Sequence, residues 1–163
     1  MNDKLLFTLD TNILIYAIDK DAREKHEIAA QILKQSVASN CLLMLQVLSE
    51  FYSAATRKGY VSPQRVIEII EDLMSLLPVA ATTGTSFKKA LFVAEKYKMQ
   101  FWDAMIFSTA KENRCSLIIT EDFQHQQLVE GVQFFNPFKE KGWESFLENY
   151  LIPAVSISSS KVI

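Results

Sequence analysis

The sequence predicts an α/β fold in which helices cover both faces of a central, mainly parallel sheet, giving three layers. Short apolar segments, typical of strands buried on both faces, alternate with longer amphipathic segments typical of helices. This alternation is the signature of a parallel sheet with helical crossovers. The chain has 163 residues and contains no evident repeat or linker, so we expect one domain of ordinary size.

Each predicted strand is short and is bounded by a helical pattern or a turn. We predict strands at 5–10, 41–46, 79–82, 116–120 and 132–138. We predict helices at 13–18, 25–38, 47–58, 63–77, 85–99, 102–114 and 143–151. The fourth helix has the clearest boundaries, because Ser62 can cap its first turn, Pro63 fits the first helical position and Pro78 cannot continue it.

Composition indicates a globular protein of the reducing cytoplasm. Apolar residues make up 49% of the chain and charged residues 22%. The 17 basic and 19 acidic side chains give a net charge of −2, so no overall basic excess points to nucleic acid. Cys41 and Cys115 are predicted to be small buried side chains, and two histidines are too few for a typical zinc site. No signal peptide or membrane span is predicted.

Four acidic side chains lie where a soluble protein rarely places a charge. Asp10 and Asp122 end apolar strands, Asp103 lies in the first turn of a helix rich in aromatic residues, and Glu50 interrupts an apolar helix. The carboxyl ends of parallel strands form the usual ligand site of an α/β sheet. If the sheet is parallel, the four carboxylates can therefore meet at one edge.

Each acid also has an ordinary structural explanation. Asp10 can cap the helix that follows it, and Asp103 can interact with the positive end of its helix. Glu50 can pair with Arg57 or Lys58 at the rim of its helix, and Asp122 can be a solvated loop residue. The interpretation as a site therefore depends on the four acids together.

A cluster of four carboxylates requires a cation. Two like charges 4 Å apart repel by about 4 kcal/mol at an effective dielectric constant of 20. All-oxygen ligation suits Mg²⁺ or Mn²⁺, and such a site can hydrolyse a phosphodiester. We expect Asp10 and Asp103 to bind the first ion, and Glu50 and Asp122 to complete the site. Asn12 and Thr120 could orient the acids, although they could equally be ordinary turn and strand residues.

Other polar residues give weaker signals. Basic side chains on helices could contact an RNA backbone, or could simply keep the surface soluble; they are Arg57, Lys58, Lys88, Lys89, Lys96 and Lys98. His125 lies near Asp122 in sequence, but we expect it to be a surface residue.

The segments that carry these acids also resemble a known family. "FTLDTNILIYAID", "LQVLSEFYSAATRK", "FWDAMIFSTA" and "LIITEDFQ…VQFFNPF" are similar, in that order, to the motifs of PIN-domain ribonucleases. The strongest resemblance is to the VapC-like toxins of type II toxin–antitoxin pairs. It extends over 5–138, so we expect a PIN-like domain at 1–138, with a C-terminal helix and a loose tail appended at 139–163.

The resemblance implies Mg²⁺- or Mn²⁺-dependent endonucleolytic cleavage of RNA. The acids of the family fall on Asp10, Glu50, Asp103 and Asp122, and its two orienting residues fall on Asn12 and Thr120. It further implies a homodimer in the cytoplasm and a small antitoxin partner that covers the site.

Three alternatives remain. A housekeeping RNA-processing enzyme would carry the same four acids, and a non-catalytic metal-binding interaction domain could keep them without turnover. A phosphatase of the haloacid-dehalogenase type would also begin with an acid at the end of the first strand. It would need a second aspartate two residues later, where this chain has Asn12.

Overall fold

The structure is a computed structural model that describes residues 5–139 and 141–151. The strands within these residues are short, and most of their residues are buried. They are β1 (Phe7–Leu9), β2 (Leu43–Met44), β3 (Val79–Ala80), β4 (Leu117–Ile119), β5 (Leu128–Val129) and β6 (Val132–Phe135).

The helices occur in the predicted order. They are α1 (Thr11–Ile18), α2 (Glu24–Val37), α3 (Leu45–Lys58), α4 (Pro63–Leu76), α5 (Gly84–Tyr97), α6 (Phe101–Glu112) and α7 (Trp143–Phe146). The predicted boundaries of α4 are confirmed, because the Ser62 hydroxyl accepts a hydrogen bond from the backbone N–H of Arg65, and the helix ends before Pro78.

The strands form a mainly parallel sheet, as predicted. The principal sheet has the order β1-β4-β6-β5, in which β1, β4 and β6 are parallel and β5 is antiparallel. β2 and β3 form a parallel pair, which an isolated parallel bridge between Phe7 and Cys41 joins to β1. Helices pack around this sheet, which confirms the three-layer α/β/α prediction.

The register of the sheet aligns the ends of its parallel strands. Leu9 is opposite Ile119, and Ile119 is opposite Phe135. The residues that follow these positions, Asp10 and Thr120, therefore emerge side by side at the carboxyl edge. The backbone N–H of Asp10 donates to the carbonyl of Ile119, with an N–O distance of 2.9 Å, so the first acid is fixed to the neighbouring strand.

Every predicted strand is longer than the strand observed, and the structure shows the cause for two of them. The strand predicted at 41–46 keeps only Leu43 and Met44, because α3 begins at Leu45. The strand predicted at 132–138 ends at Phe135. There the side-chain oxygen of Asn136 accepts a hydrogen bond from the backbone N–H of Phe138, and the intervening proline has no N–H to donate to a neighbouring strand.

The sequence analysis missed strand β5. Leu128 and Val129 pair with β6 through a two-residue turn at Glu130 and Gly131, where φ is +46° and +86°. Two consecutive positive φ angles are the geometry of a tight hairpin turn. Glycine at the second position is the signal that could have revealed it.

The C-terminal segment packs against the sheet. The predicted helix at 143–151 is instead one turn of α-helix, α7, followed by a 3₁₀ turn at Leu147–Asn149. Phe146 stacks on Phe135 with ring centroids 4.0 Å apart, and Leu147 is fully buried. The loose tail predicted after this segment lies outside the described residues.

Candidate metal centre

Asp10 occupies the junction between β1 and α1. Its Oδ1 accepts a hydrogen bond of 2.7 Å from the backbone N–H of Thr11, so the residue does cap α1, as its ordinary explanation requires. Its Oδ2 accepts the Thr120 hydroxyl hydrogen, with 2.6 Å between the oxygens. The carboxylate is buried, and capping uses only one of its two oxygens.

Asn12 links Asp10 to Asp122. Its side-chain Nδ2 donates to Asp122 Oδ2 at 3.0 Å and makes a longer contact of 3.4 Å with Asp10 Oδ2. Thr120 contributes from the other side, because its Oγ1 accepts a 3.1 Å hydrogen bond from the backbone N–H of Asp122. The structure thus places Asn12 and Thr120 between the two strand-end acids, where the sequence analysis expected orienting residues.

Glu50 reaches the same region from α3. Gln46, one turn earlier, donates from Nε2 to Glu50 Oε1 at 2.7 Å, and the Thr11 hydroxyl donates to Oε2 at 3.4 Å. No ion pair joins Glu50 to Arg57 or Lys58 among the described residues. The ordinary explanation of Glu50 as the partner of those bases is therefore wrong.

Asp103 lies in the first turn of α6, as predicted. Its carboxylate is half-buried and accepts no hydrogen bond from the part of the chain that the structure describes. It is therefore the least constrained of the four acids.

The four acids interact electrostatically. Burial, together with the charges of Asp122 and Asp103, raises the pKa of Asp10 to about 7, although the hydrogen bonds from Thr120 and Thr11 oppose this. Burial and the charges of Asp122 and Glu50 raise the pKa of Asp103 to about 6. The side chains that the sequence analysis grouped are thus close enough to influence one another's ionisation.

The donor chemistry of this cluster fits a hard divalent cation. The available atoms are carboxylate oxygens, and Asn12 Oδ1 is a buried oxygen with no hydrogen-bond partner among the described residues. Within those residues, however, no three His, Cys, Asp or Glu side chains already form a group that could hold a metal ion.

The sequence analysis missed two residues that hold Glu50. Gln46 was assigned to a strand, but it lies in α3 four residues before Glu50, the spacing at which helical side chains meet. Its Nε2 also donates to the carbonyl of Trp102 at 2.9 Å, so it joins α3 to α6. Thr11 adjoins Asp10, and no pattern in the sequence connects it with Glu50.

Neighbouring charged residues lie outside the cluster. Glu121, which precedes Asp122, contacts other partners than the acids. It accepts a hydrogen bond from the Tyr16 hydroxyl and pairs with Lys25, whose Nζ is 2.7 Å from its carboxylate. His125 is partly buried rather than a free surface residue, because its Nδ1 accepts from the backbone N–H of Asn136 and its ring lies against Phe135.

Several of the predicted RNA-contacting lysines have acidic partners. Lys98 pairs with Glu95. Lys89 and Lys96, together with Lys111, surround Glu130. Hydrogen bonds from Lys111 and Lys89 lower the pKa of the Glu130 carboxyl to about 2.

Three cavities border the acids. The largest of them, about 490 Å³, is lined by Asp103 and Asp122 together with Tyr97, Lys98 and Gln127. A second, of about 310 Å³, lies between α3 and Trp102 and includes Glu50. A third, of about 470 Å³, is also lined by Glu50 and Trp102, together with Gln46 and Met105. Asp103, Asp122 and Glu50 therefore all border space that a ligand could enter.

Comparison with known proteins identifies the family. A family model described as "PIN domain" matches residues 7–130, a span that contains all four acids. The chain therefore belongs to the PIN domain family, which confirms the resemblance found in the sequence. No curated protein sequence matches the chain.

Solved structures share this fold. A toxin–antitoxin complex from Klebsiella pneumoniae contains a chain 24% identical to this one, with a TM-score of 0.56 over 78% of this chain and 94% of that one. VapBC-1 from nontypeable Haemophilus influenzae is 22% identical, with a TM-score of 0.56 over 83% and 100%. Mycobacterium tuberculosis VapC20, described as a sarcin–ricin loop cleaving toxin, is 15% identical, with a TM-score of 0.55 over 69% and 86%.

No helix within residues 5–139 and 141–151 is long and apolar enough to cross a bilayer.

Proposed function

We propose that the protein is a metal-dependent endoribonuclease that acts in the cytoplasm as the toxin of a toxin–antitoxin pair. The observation that carries the proposal is the electrostatic interaction among the acids: the charges of Asp122 and Asp103 act on Asp10, those of Asp122 and Glu50 act on Asp103, and the pKa values of Asp10 and Asp103 are raised. Membership of the PIN domain family supports the nuclease assignment.

Mg²⁺ or Mn²⁺ would be held chiefly by Asp10 and Asp103, with Glu50 and Asp122 completing the site. When bound, such a cation supplies a more acidic water and neutralises charge on the phosphate oxygens. Because the raised pKa values reflect burial and mutual repulsion, ligation would favour loss of the proton that Asp10 partly retains at neutral pH and that Asp103 retains below about pH 6.

The surrounding residues hold the acids in place for this task. Thr120 and Thr11 fix both oxygens of Asp10, and Asn12 restrains Asp122. Gln46 directs Glu50. Asp103 accepts no such hydrogen bond from the described residues, so it can turn toward a cation without breaking one. RNA would be cut when a water adds to phosphorus and the bond from phosphorus to one ribose oxygen breaks.

The toxin assignment is supported by the similar structures. Those of Klebsiella pneumoniae and Haemophilus influenzae are described as a toxin–antitoxin complex and as VapBC-1. By analogy we propose a small antitoxin partner that covers the acids. We also propose a homodimer, since α5 exposes Phe87, Leu91 and Phe92. Sedimentation of the protein alone and with its antitoxin tests both proposals.

A cleavage assay on variants tests the nuclease itself. The wild type should cleave total RNA with Mn²⁺ and lose activity in EDTA. Asp103→Asn should be at least about 100-fold slower, because a neutral amide cannot replace a carboxylate ligand. Undiminished cleavage by Asp103→Asn would end the proposal.

Two adjacent acids provide a matched control. Asp122→Asn changes an acid of the cluster, whereas Glu121→Gln changes its neighbour, which faces Lys25 and Tyr16. We expect the first variant to lose activity and the second to retain it. Equal losses in both variants would show that charge in this loop, rather than the cluster, governs activity.

A further inference from the structure

Trp102 is an exposed tryptophan next to the acid cluster. Its side chain is 59% exposed, although it directly precedes Asp103. Its backbone carbonyl is held by Gln46 Nε2 at 2.9 Å, and its ring meets the ring of Phe101 at a centroid distance of 5.3 Å. A large aromatic surface is thus presented to solvent at a fixed position beside the site.

The cavity between Trp102 and α3 combines one aromatic wall with several polar residues. It measures about 310 Å³, near the lower end of ligand-sized cavities. Trp102 forms one wall, and most of the other residues are polar: Thr11, Glu50, Ser53, Ala54 and Arg57. A groove that receives an amphipathic helix would instead be lined by apolar side chains.

Arg57 supplies a cation that pairs with no acid among residues 5–139 and 141–151. It forms no ion pair or hydrogen bond with the described part of the chain. It lies on the same face of α3 as Glu50, seven residues later, and hence about 10 Å further along the helix axis. A phosphate bound by Arg57 would therefore be a neighbour of the phosphate at the acids, not the same one.

We infer that this cavity is a nucleotide subsite, in which an RNA base stacks on Trp102 and the adjoining backbone phosphate binds Arg57. Proteins that hold single strands combine aromatic platforms with nearby cations, and these two residues supply both elements. The inference rests on the proposed ribonuclease function, because it gives that site its substrate contacts outside the acids.

Fluorescence titration without metal tests the subsite independently of cleavage. The probe is a single-stranded adenosine oligonucleotide of about ten residues, added to the full-length protein in EDTA. The chain has two tryptophans, and Trp143 is only 4% exposed. RNA should quench the wild-type emission in a saturable manner, whereas Trp102→Phe should show no quenching, because only Trp143 remains.

Affinity measured by anisotropy of a labelled oligonucleotide separates stacking from simple apolar contact. Trp102→Leu should bind roughly 5- to 150-fold more weakly, and Trp102→Phe should recover most of the loss. Arg57→Ala should weaken binding and reduce the salt dependence by about one phosphate contact. If Trp102 instead made only apolar contacts, as it would with a partner protein, Trp102→Leu would bind nearly as tightly as Trp102→Phe, and the stacking proposal would be wrong.

Met74 provides the control. It is 50% exposed on α4 and lines none of the three cavities beside the acids. Met74→Ala should bind RNA as the wild type does, and thermal unfolding should show that all variants remain folded. The subsite is wrong if Trp102→Leu binds normally, or if Met74→Ala loses as much affinity.

The two proposals fail in different ways. If Asp103→Asn abolishes cleavage but Trp102→Leu leaves both affinity and KM unchanged, the nuclease stands and the subsite falls. If RNA binds at Trp102 but no metal supports cleavage, the subsite stands without the proposed reaction. In the expected case, Trp102→Leu raises KM for RNA cleavage with a much smaller change in kcat.

Discussion

Thr120 donates its hydroxyl hydrogen to Asp10 across the two central strands, with 2.6 Å between Oγ1 and Oδ2. The same hydroxyl oxygen accepts from the backbone N–H of Asp122. One small side chain thus positions both strand-end acids. Because the bond favours the ionised carboxylate, it lowers the pKa of Asp10 against the opposing effect of burial.

Replacing Thr120 tests this link. Thr120→Val keeps the shape of the side chain but leaves the buried Asp10 carboxylate without its donor. We expect a loss of about 1.5–3 kcal/mol in the free energy of unfolding near pH 8, the usual value of a hydrogen bond to a charged group. The acidic limb of the pH–rate profile should move to higher pH, and Thr120→Ser should restore both properties. A valine variant with an unchanged profile would contradict the role given to Thr120.

Ionisation of the buried acids should make the metal-free protein less stable as the pH rises. Asp10 has a pKa of about 7 and Asp103 of about 6, both raised from 3.8. The folded protein therefore retains protons that the unfolded chain has released, and the free energy of unfolding falls between about pH 4 and pH 7. The decline attributable to Asp10 is up to about 4 kcal/mol, and that of half-exposed Asp103 is about 1 kcal/mol after screening.

Denaturant titrations in EDTA at several pH values measure this decline. Asp10→Asn, which cannot ionise, should show a much flatter dependence over the same range. If the wild type and Asp10→Asn lose stability equally between pH 4 and pH 7, the electrostatic description of the cluster is incorrect.

Divalent cations should reverse the effect. A ligand that binds only the folded state stabilises it by about 2.7 kcal/mol at one hundred times its dissociation constant. Because Asp10 and Asp103 must release protons to bind, Mn²⁺ should raise the unfolding temperature more at pH 8 than at pH 5.5. Thermal unfolding of the metal-free protein, with and without added MnCl₂, provides the measurement. The unfolding temperature of Asp103→Asn should rise only slightly when Mn²⁺ is added. An equal response at the two pH values would argue against ligation by these acids.

Gln46 should affect activity more than stability. Gln46→Leu removes the donor that directs Glu50 and the contact with the Trp102 carbonyl, and residues that orient metal ligands typically affect activity by about 10- to 100-fold. The change also eliminates Gln46 Oε1, a buried oxygen without a partner among the described residues, which offsets part of the lost hydrogen bonding.

Ser49→Ala provides a control on the same helix. Ser49 is exposed, and its hydroxyl donates only to the carbonyl of Leu45. We expect normal cleavage rates for this variant and similar melting temperatures for both variants. A slow Ser49→Ala enzyme would mean that cleavage is sensitive to α3 in general rather than to the orientation of Glu50.

Much of the arrangement was predictable because local patterns encode it. Asp10 closes an apolar strand and Asp103 opens an amphipathic helix, so their places follow from periodicity and helix-end chemistry. Parallel strands align their ends, which explains why Asp10 and Asp122 could be expected to meet. The antiparallel β5 escaped prediction because a two-residue strand carries almost no periodic signal.

The sequence by itself determined the order of the helices and of the parallel strands, and it placed Asp10 and Asp122 after strands whose ends align at one edge of the sheet. Only the tertiary structure decided which groups touch those acids. Glu50 is held by Gln46 and Thr11 rather than by Arg57, and Glu121 pairs with Lys25 across 96 residues of chain. Such pairings depend on how separate helices pack against the sheet. The spacing of side chains along one helix or strand contains no information about its distance from another helix or strand.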